Sequence, residues 1–222
     1  MTVIHDRVPL GNHRASIARY LRGIAFPGRS VASRIIEERV PSEYVLDPIR
    51  PSLLLWACAA CEGNADDALP VAAAFDLFDR FLLLHDELAN ESSPIAARWG
   101  LGQSLNAGDA LYALAFRSLA SDVENPRPRL EAARLVGQAV LEAIERGDGD
   151  SVRDAVLTAA ALEAGAVIAQ APEKLTQAFA NAGRCLALRD TGGAVSALRP
   201  YTKHDDLAVF EEVARYVGRR AI

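Results

Sequence analysis

Apolar residues recur every three or four positions along most of the chain, and the strict alternation that marks a half-buried strand is missing. This period, read with its breakers, predicts helices over about 12–25, 30–40, 52–62, 66–90, 101–120, 129–146, 151–169, 172–189 and 205–219. Pro27-Gly28 ends the first, Pro41 the second and Gly63-Asn64 the third, while residues 1–10 read as a loose start. Ser121–Pro128, polar and carrying two prolines, reads as a loop. The expectation is an all-α chain forming one domain over residues 1–222.

The stretch 66–90 stands apart because it is strongly apolar yet carries Asp76, Asp79, Asp86, Glu87 and Asn90. At helical spacing, Asp79, Leu83, Asp86 and Asn90 fall along one stripe, with Asp76 a turn earlier and Glu87 beside it. Carboxylates on so apolar a helix are costly to bury unless a cation or donor meets them. Two readings follow from the spacing: a helix end emerging into water near 85, or an acidic site for a metal or other cation. Later in the chain, Asn106 and Asp109 lie three apart around Gly108, and a glycine inside a helix usually marks a close helix approach.

Composition narrows the classes. With 222 residues, half of them hydrophobic, the chain is long enough for a sizeable core. A net charge of −5 without a Lys/Arg run argues against nucleic acid as a partner. Apolar runs are broken by charge before they reach membrane-spanning length, and the N-terminus lacks the apolar region of a signal peptide, so the expected compartment is the cytoplasm. Three cysteines suit a reducing compartment. Cys58-x-x-Cys61 could serve redox chemistry or zinc, but with no second pair and apolar neighbours it reads as small-residue helix packing. Gly147-Asp148-Gly149-Asp150 invites a calcium reading but lacks the rest of a calcium loop, so a helix end and turn is expected. His204-Asp205-Asp206-Leu207 reads as the acidic first turn of the last helix.

His85-Asp86-Glu87-Leu88, then Trp99-Gly100, then Ser104-Leu105-Asn106-Ala107-Gly108-Asp109-Ala110-Leu111 resembles the trans-isoprenyl diphosphate synthase (polyprenyl synthetase) family. In that family one helix ends in His-Asp-Asp-x-x-Asp and the next opens near Asn-Ala-Gly-Asp-x-Leu. The resemblance covers roughly residues 44–194 and implies a truncated isoprenoid-synthase-like helical bundle around a central cavity. It also implies that Asp86, Glu87, Asn90 and Asp190 hold Mg²⁺ against an allylic prenyl diphosphate, which an active member ionises. Asn106 and Asp109 would support that site by packing rather than contact the ligand.

Several positions depart from the family pattern. Arg50 and Pro51 match its Gly-Lys-Arg-x-Arg-Pro turn, but Asp47 and Pro48 stand where it has a Lys and an Arg for the diphosphate of isopentenyl diphosphate. Asp79 takes the place of a His that helps bind the same group. The Arg-Arg-Gly-x-Pro-Thr segment has no counterpart, leaving Arg98 as a substitute in space. Arg153-Asp154 replaces Lys-Thr, and of the second aspartate-rich motif Asp190 survives. Arg50, Arg98 and Arg153 are thus the candidate substrate-binding residues. Exchanging a Lys, an Arg and a His for residues two of which are acidic forfeits at least about 5 kcal/mol, or more than about 10³ in affinity. The implied functions are an allylic-diphosphate binder with Mg²⁺ and a degraded isopentenyl site, or a catalytically silent subunit paired with a full-length prenyl synthase. A short-chain synthase with relocated ligands (Arg98, Arg153, Arg184) is a further alternative. Family likeness alone suggests a homodimer or heterodimer.

Overall fold

Helix α4 (Ala65–Leu88) is the axis of the molecule, because Ala68 and every residue from Pro70 to Phe78 are buried. Its start is fixed locally. Asn64 caps it, its side chain accepting the Asp66 N–H at 3.1 Å, and Asp66 and Asp67 place negative charge in the first turn, where the helix dipole favours it. The computed structural model describes residues 10–24, 30–39, 49–90, 92–146 and 151–219. Among these residues there are eleven helices and no strand, an all-α fold. The breaks at Pro27-Gly28 and Pro41, the Asp47-Pro48 exchange and the Gly147–Asp150 turn fall outside them, as does most of the loose start.

Around α4 pack α1 (Gly11–Gly23), α3 (Ile49–Ala60) and α6 (Leu101–Asp122), with α2 (Val31–Arg39) lying on α6. Helix α8 (Ser151–Ile168) sits between α7 (Pro126–Arg146) and α9 (Glu173–Ala187) and also packs on α3. The chain then turns through α10 (Thr191–Leu198) into α11 (His204–Arg219). Two apolar clusters result. One runs through α4, α6, α7 and α8 around Phe75, Phe78, Leu111, Val136 and Ala161. The other joins α3 to α9, α10 and α11 around Trp56, which stacks on Phe210 at 4.9 Å and meets Phe179 edge-on at 5.6 Å.

Helices α3 and α8 belong to both clusters: Leu54, Leu55 and Cys58 face one, Leu53, Trp56 and Ala57 the other. Burial on both faces explains why their sequences are apolar all round rather than striped. Two glycines set how closely α8 approaches its neighbours. A Cβ on Gly165 would lie 2.3 Å from the Leu54 carbonyl oxygen, and one on Gly183 would lie 2.6 Å from that of Thr158. Cys58 is buried in the same α3 packing, and burial, then the Asp67 charge, pushes its thiol up to about 11. It is a packing residue on the α3–α4 side of the core.

Three local structures differ from expectation. Helix α5 (Pro94–Trp99) lies between the predicted helices 66–90 and 101–120, where Ser93 caps it and Pro94 supplies its first residue. Helix α10 follows directly from Asp190, whose side chain accepts the Gly193 N–H at 2.8 Å, so Gly192-Gly193 lies inside a helix rather than in a loop. Helix α7 begins at Pro126, within the expected loop. First-turn N–H groups have no intrahelical partner, so prolines at 126 and 128 cost it nothing there, and Asn125 accepts the Arg127 N–H at 3.2 Å. Among the described residues no helix is long and apolar enough to cross a membrane.

Gly165→Ala forces α8 away from α3 and is expected to cost about 1–3 kcal/mol, the usual penalty for overpacking a core. Chemical denaturation checks this. An unchanged midpoint would show that the α3–α8 contact yields without cost.

Candidate functional site

The acidic stripe of α4 faces α8 and the start of α3, and two arginines meet it. Arg50 stands in the first turn of α3, one residue before Pro51, and lies largely buried. Its Nη1 donates to Asp79 Oδ1 on α4 at 2.7 Å, its Nη2 donates to Asp154 Oδ1 on α8, and its Nε reaches Thr158 Oγ1 at 3.4 Å. Burial works against the charged guanidinium, but the Asp79 and Asp154 carboxylates outweigh it and hold Arg50 above its ordinary value. Two turns further along α4, Asp86 Oδ2 accepts Nη2 of the buried Arg153 at 2.7 Å. On the flank of the same helix, Asp76 accepts Arg80 Nε at 2.6 Å, both side chains being nearly buried.

Asp76, Asp79 and Asp86 are therefore not simply wet. They are met by arginines of this chain. Between the two ion pairs on the stripe lies Leu83, 51% exposed, so the surface there is open to solvent. Ion pairs of this kind offset the desolvation of each member, and removing one partner strands a buried charge.

The remaining residues predicted from the sequence separate in space. Glu87 is half-buried at the end of α4 beside Asp86, whereas Asn90 is exposed and its Oδ1 accepts both the N–H and the hydroxyl of Ser92, at 3.2 and 3.1 Å. Asp190 caps α10. Arg98 is exposed, pairs with Glu38 at 3.1 Å and lies over the Trp99 ring, with Arg34 also over that ring. Asn106 and Asp109 are exposed on α6. Gly108 is a close approach, as its sequence position suggested: a Cβ there would lie 2.2 Å from His85 Cε1. The His85 ring lies across this notch, Nδ1 donating to the Phe81 carbonyl at 3.0 Å and Nε2 lying 3.8 Å from Asp109 Oδ1.

Mg²⁺ asks for oxygen ligands in octahedral array, of which one or two protein carboxylates suffice when phosphates supply others. Among the described residues no three side chains of His, Cys, Asp or Glu form a group that could hold a metal ion, so Asp86, Glu87 and Asp190 are not one such group. Asn90 is occupied in its own turn and Asp190 in its cap. The adjacent Asp86 and Glu87 would be the pair to offer a cation, and Asp86 would have to release Arg153 to do so.

Sequence reading missed Asp154 and Asp79 as partners of Arg50. Both had been noted where the resembled family has Thr and His, and two acids replacing neutral or basic positions around one arginine was the available signal.

No protein-family model matches the chain. Among curated proteins it is 28% identical over 163 residues to the short chain isoprenyl diphosphate synthase of Methanothermobacter thermautotrophicus, covering 63% of this chain and 50% of that protein. The chain spans about half the length of the curated relatives it matches, which are isoprenyl diphosphate synthases. Among solved structures, geranylgeranyl pyrophosphate synthetase from Pyrococcus horikoshii superposes with a TM-score of 0.81 at 14% identity, over 96% of this chain and 98% of that one. The geranyl diphosphate synthase small subunit from Antirrhinum majus does so with a TM-score of 0.80 at 15% identity, over 93% and 97%. At these identities the structural likeness shows the fold.

A double-mutant cycle tests the Arg153–Asp86 pair. Arg153→Met and Asp86→Leu are each expected to destabilise, with a coupling of at least about 1 kcal/mol between them. Additive effects would show the pair to be energetically idle.

Proposed function

Because the chain belongs to the trans-isoprenyl diphosphate synthase family, we propose that it is a catalytically silent member that works as the partner subunit of a full-length prenyl diphosphate synthase. One observation carries this reading. Arg50 and Arg153, the arginines that the family likeness assigns to phosphate, are each bonded to carboxylates of this chain. A diphosphate would have to displace those carboxylates, and they would then repel it across a few ångströms of partly desolvated space. The third candidate, Arg98, is held at Glu38 and Trp99 instead.

A subunit whose task is to bind a partner needs the fold but not an intact site. The likeness to the Antirrhinum small subunit supports this, since that protein pairs the same fold with a subunit role in its name. A cytoplasmic location, as composition suggests, belongs to the same reading.

A second reading, binding of an allylic prenyl diphosphate with Mg²⁺, is favoured by the place of Asp86 and Glu87. They sit side by side at the end of α4, next to Arg153 and in reach of solvent. The family generally uses Mg²⁺, which when bound neutralises and polarises the departing diphosphate. Asp86 and Glu87 would hold it, and Arg153, once released, would face the phosphate.

Co-expression with a full-length prenyl diphosphate synthase decides between the two. The expected result is a stable complex on size-exclusion chromatography, with no diphosphate release by the isolated chain from geranyl or farnesyl diphosphate and Mg²⁺. Mg²⁺-dependent release by the isolated chain, without association, would overturn the first reading in favour of the second.

A further inference from the structure

We propose that the outward face of α7 is a two-fold interface between two copies of this chain, in which the α7 helices cross antiparallel at Gly137. This goes beyond the subunit reading and does not rest on it.

Helix α7 buries Ala132, Val136, Ala139, Val140 and Ala143 against the body of the molecule. On its other side Leu130, Leu141 and Ile144 are 74%, 59% and 49% exposed. Helical spacing puts these three and Gly137 on one stripe, so α7 is apolar on its outer side as well as its inner one. A helix apolar on both faces is expected to be covered on both. Gly137 is a second sign of a missing neighbour. Gly108, Gly165 and Gly183 each face a group that a Cβ would strike, whereas a Cβ on Gly137 would meet Phe116 Cζ of α6 at an ordinary 3.9 Å. A glycine inside a helix costs about 1 kcal/mol relative to Ala, and among the described residues nothing requires one here. A second helix crossing at this point would require it, because two backbones approach closest where a side chain is missing.

The stripe matches itself. Leu130 and Ile144 lie seven residues to either side of Gly137, so a second α7 laid antiparallel across Gly137 sets Leu130 of each copy on Ile144 of the other, as a two-fold axis demands. The charges obey the same axis. Arg127 and Glu145 share one flank of the stripe, ten residues before Gly137 and eight after it. In the antiparallel pair, Arg127 of each copy therefore comes within about one turn of Glu145 of the other. Both side chains are exposed, and neither has an ion-pair partner among the described residues. Arg127 also stands in a first turn that holds no acid, where the helix dipole disfavours a cation, and Glu145 stands in the last turn, where it disfavours an anion. Pairing between copies offsets both at once. A partner of other sequence would not share this symmetry.

Size-exclusion chromatography of the full chain with light scattering tests this. The wild type is expected to elute as a dimer at tens of micromolar, and Leu141→Glu as a monomer of unchanged helicity by circular dichroism. Arg127→Glu and Glu145→Arg are each expected to weaken the dimer about tenfold, because each sets like charges together at two places. Mixed with one another, these two variants are expected to regain wild-type affinity, since the mixed pair restores both contacts between opposite charges. A monomeric wild type would overturn the proposal, as would an undiminished dimer in Leu141→Glu. A mixture that associates no more tightly than its components would overturn the antiparallel register about Gly137 and the proposal with it. Should Leu141→Glu fail to fold, the two charge variants, both at exposed positions, carry the test alone. All of these results are read on this chain by itself, whereas the subunit reading is tested with a synthase present, so the two fail separately.

Discussion

The bond between Arg50 and the carboxylates of Asp79 and Asp154 is the constraint on which the arrangement of this protein turns. A guanidinium in the first turn of α3 is joined to the middle of α4 and to the start of α8, three helices that also meet through apolar side chains. Small-residue packing lets α8 lie close to α3 at Gly165 and to α9 at Gly183, but such contacts tolerate sliding along the axes. An ion pair with defined donors does not. The register of α3 against α4 and α8 is fixed where a charged group, once taken from water, is held by these two acids and the Thr158 hydroxyl.

The Arg153–Asp86 bond repeats this two turns along the same stripe. Together the two contacts change what the face can do. A surface whose cations are free draws in polyanions, whereas one whose cations are matched by acids does so less. The chain thus shares its helical fold with a prenyl diphosphate synthase, and Arg50 and Arg153 are bonded to carboxylates of the chain itself. A diphosphate-binding surface and an interhelical tie draw on the same donors, and a guanidinium already engaged with two carboxylates has little left to offer a third anion.

Much of this was legible in the sequence because helical periodicity is a local signal. The 3.6-residue spacing alone put Asp79, Leu83 and Asp86 on one face, and Gly108 inside a helical run pointed to the close approach that His85 makes. The family likeness, carried by Asn106 to Leu111 after the acidic helix end, gave the fold. What escaped was pairing at long range. Arg50 and Asp154 lie 104 residues apart, and no periodicity links them. Asp190 matched a motif position, but a side chain followed by Thr191-Gly192-Gly193 satisfied a helix start first. Arg98, placed as a substitute ligand by its nearness in sequence to a missing segment, found the Trp99 ring and Glu38 nearer. The short helices α5 and α10 carry too few residues for a period to show, and the proline and glycines of their first turns are compatible with helix.

The central claim is that Arg50 and Arg153 stay with their own carboxylates when a prenyl diphosphate is offered. Nitrogen NMR of the Arg50 and Arg153 side chains, recorded with and without Mg²⁺ and a non-hydrolysable farnesyl diphosphate analogue, reads this directly. The account predicts guanidinium resonances that do not move at saturating ligand. Displacement of either resonance, with a dose dependence matching ligand binding, would show that the ion pairs open and would contradict it.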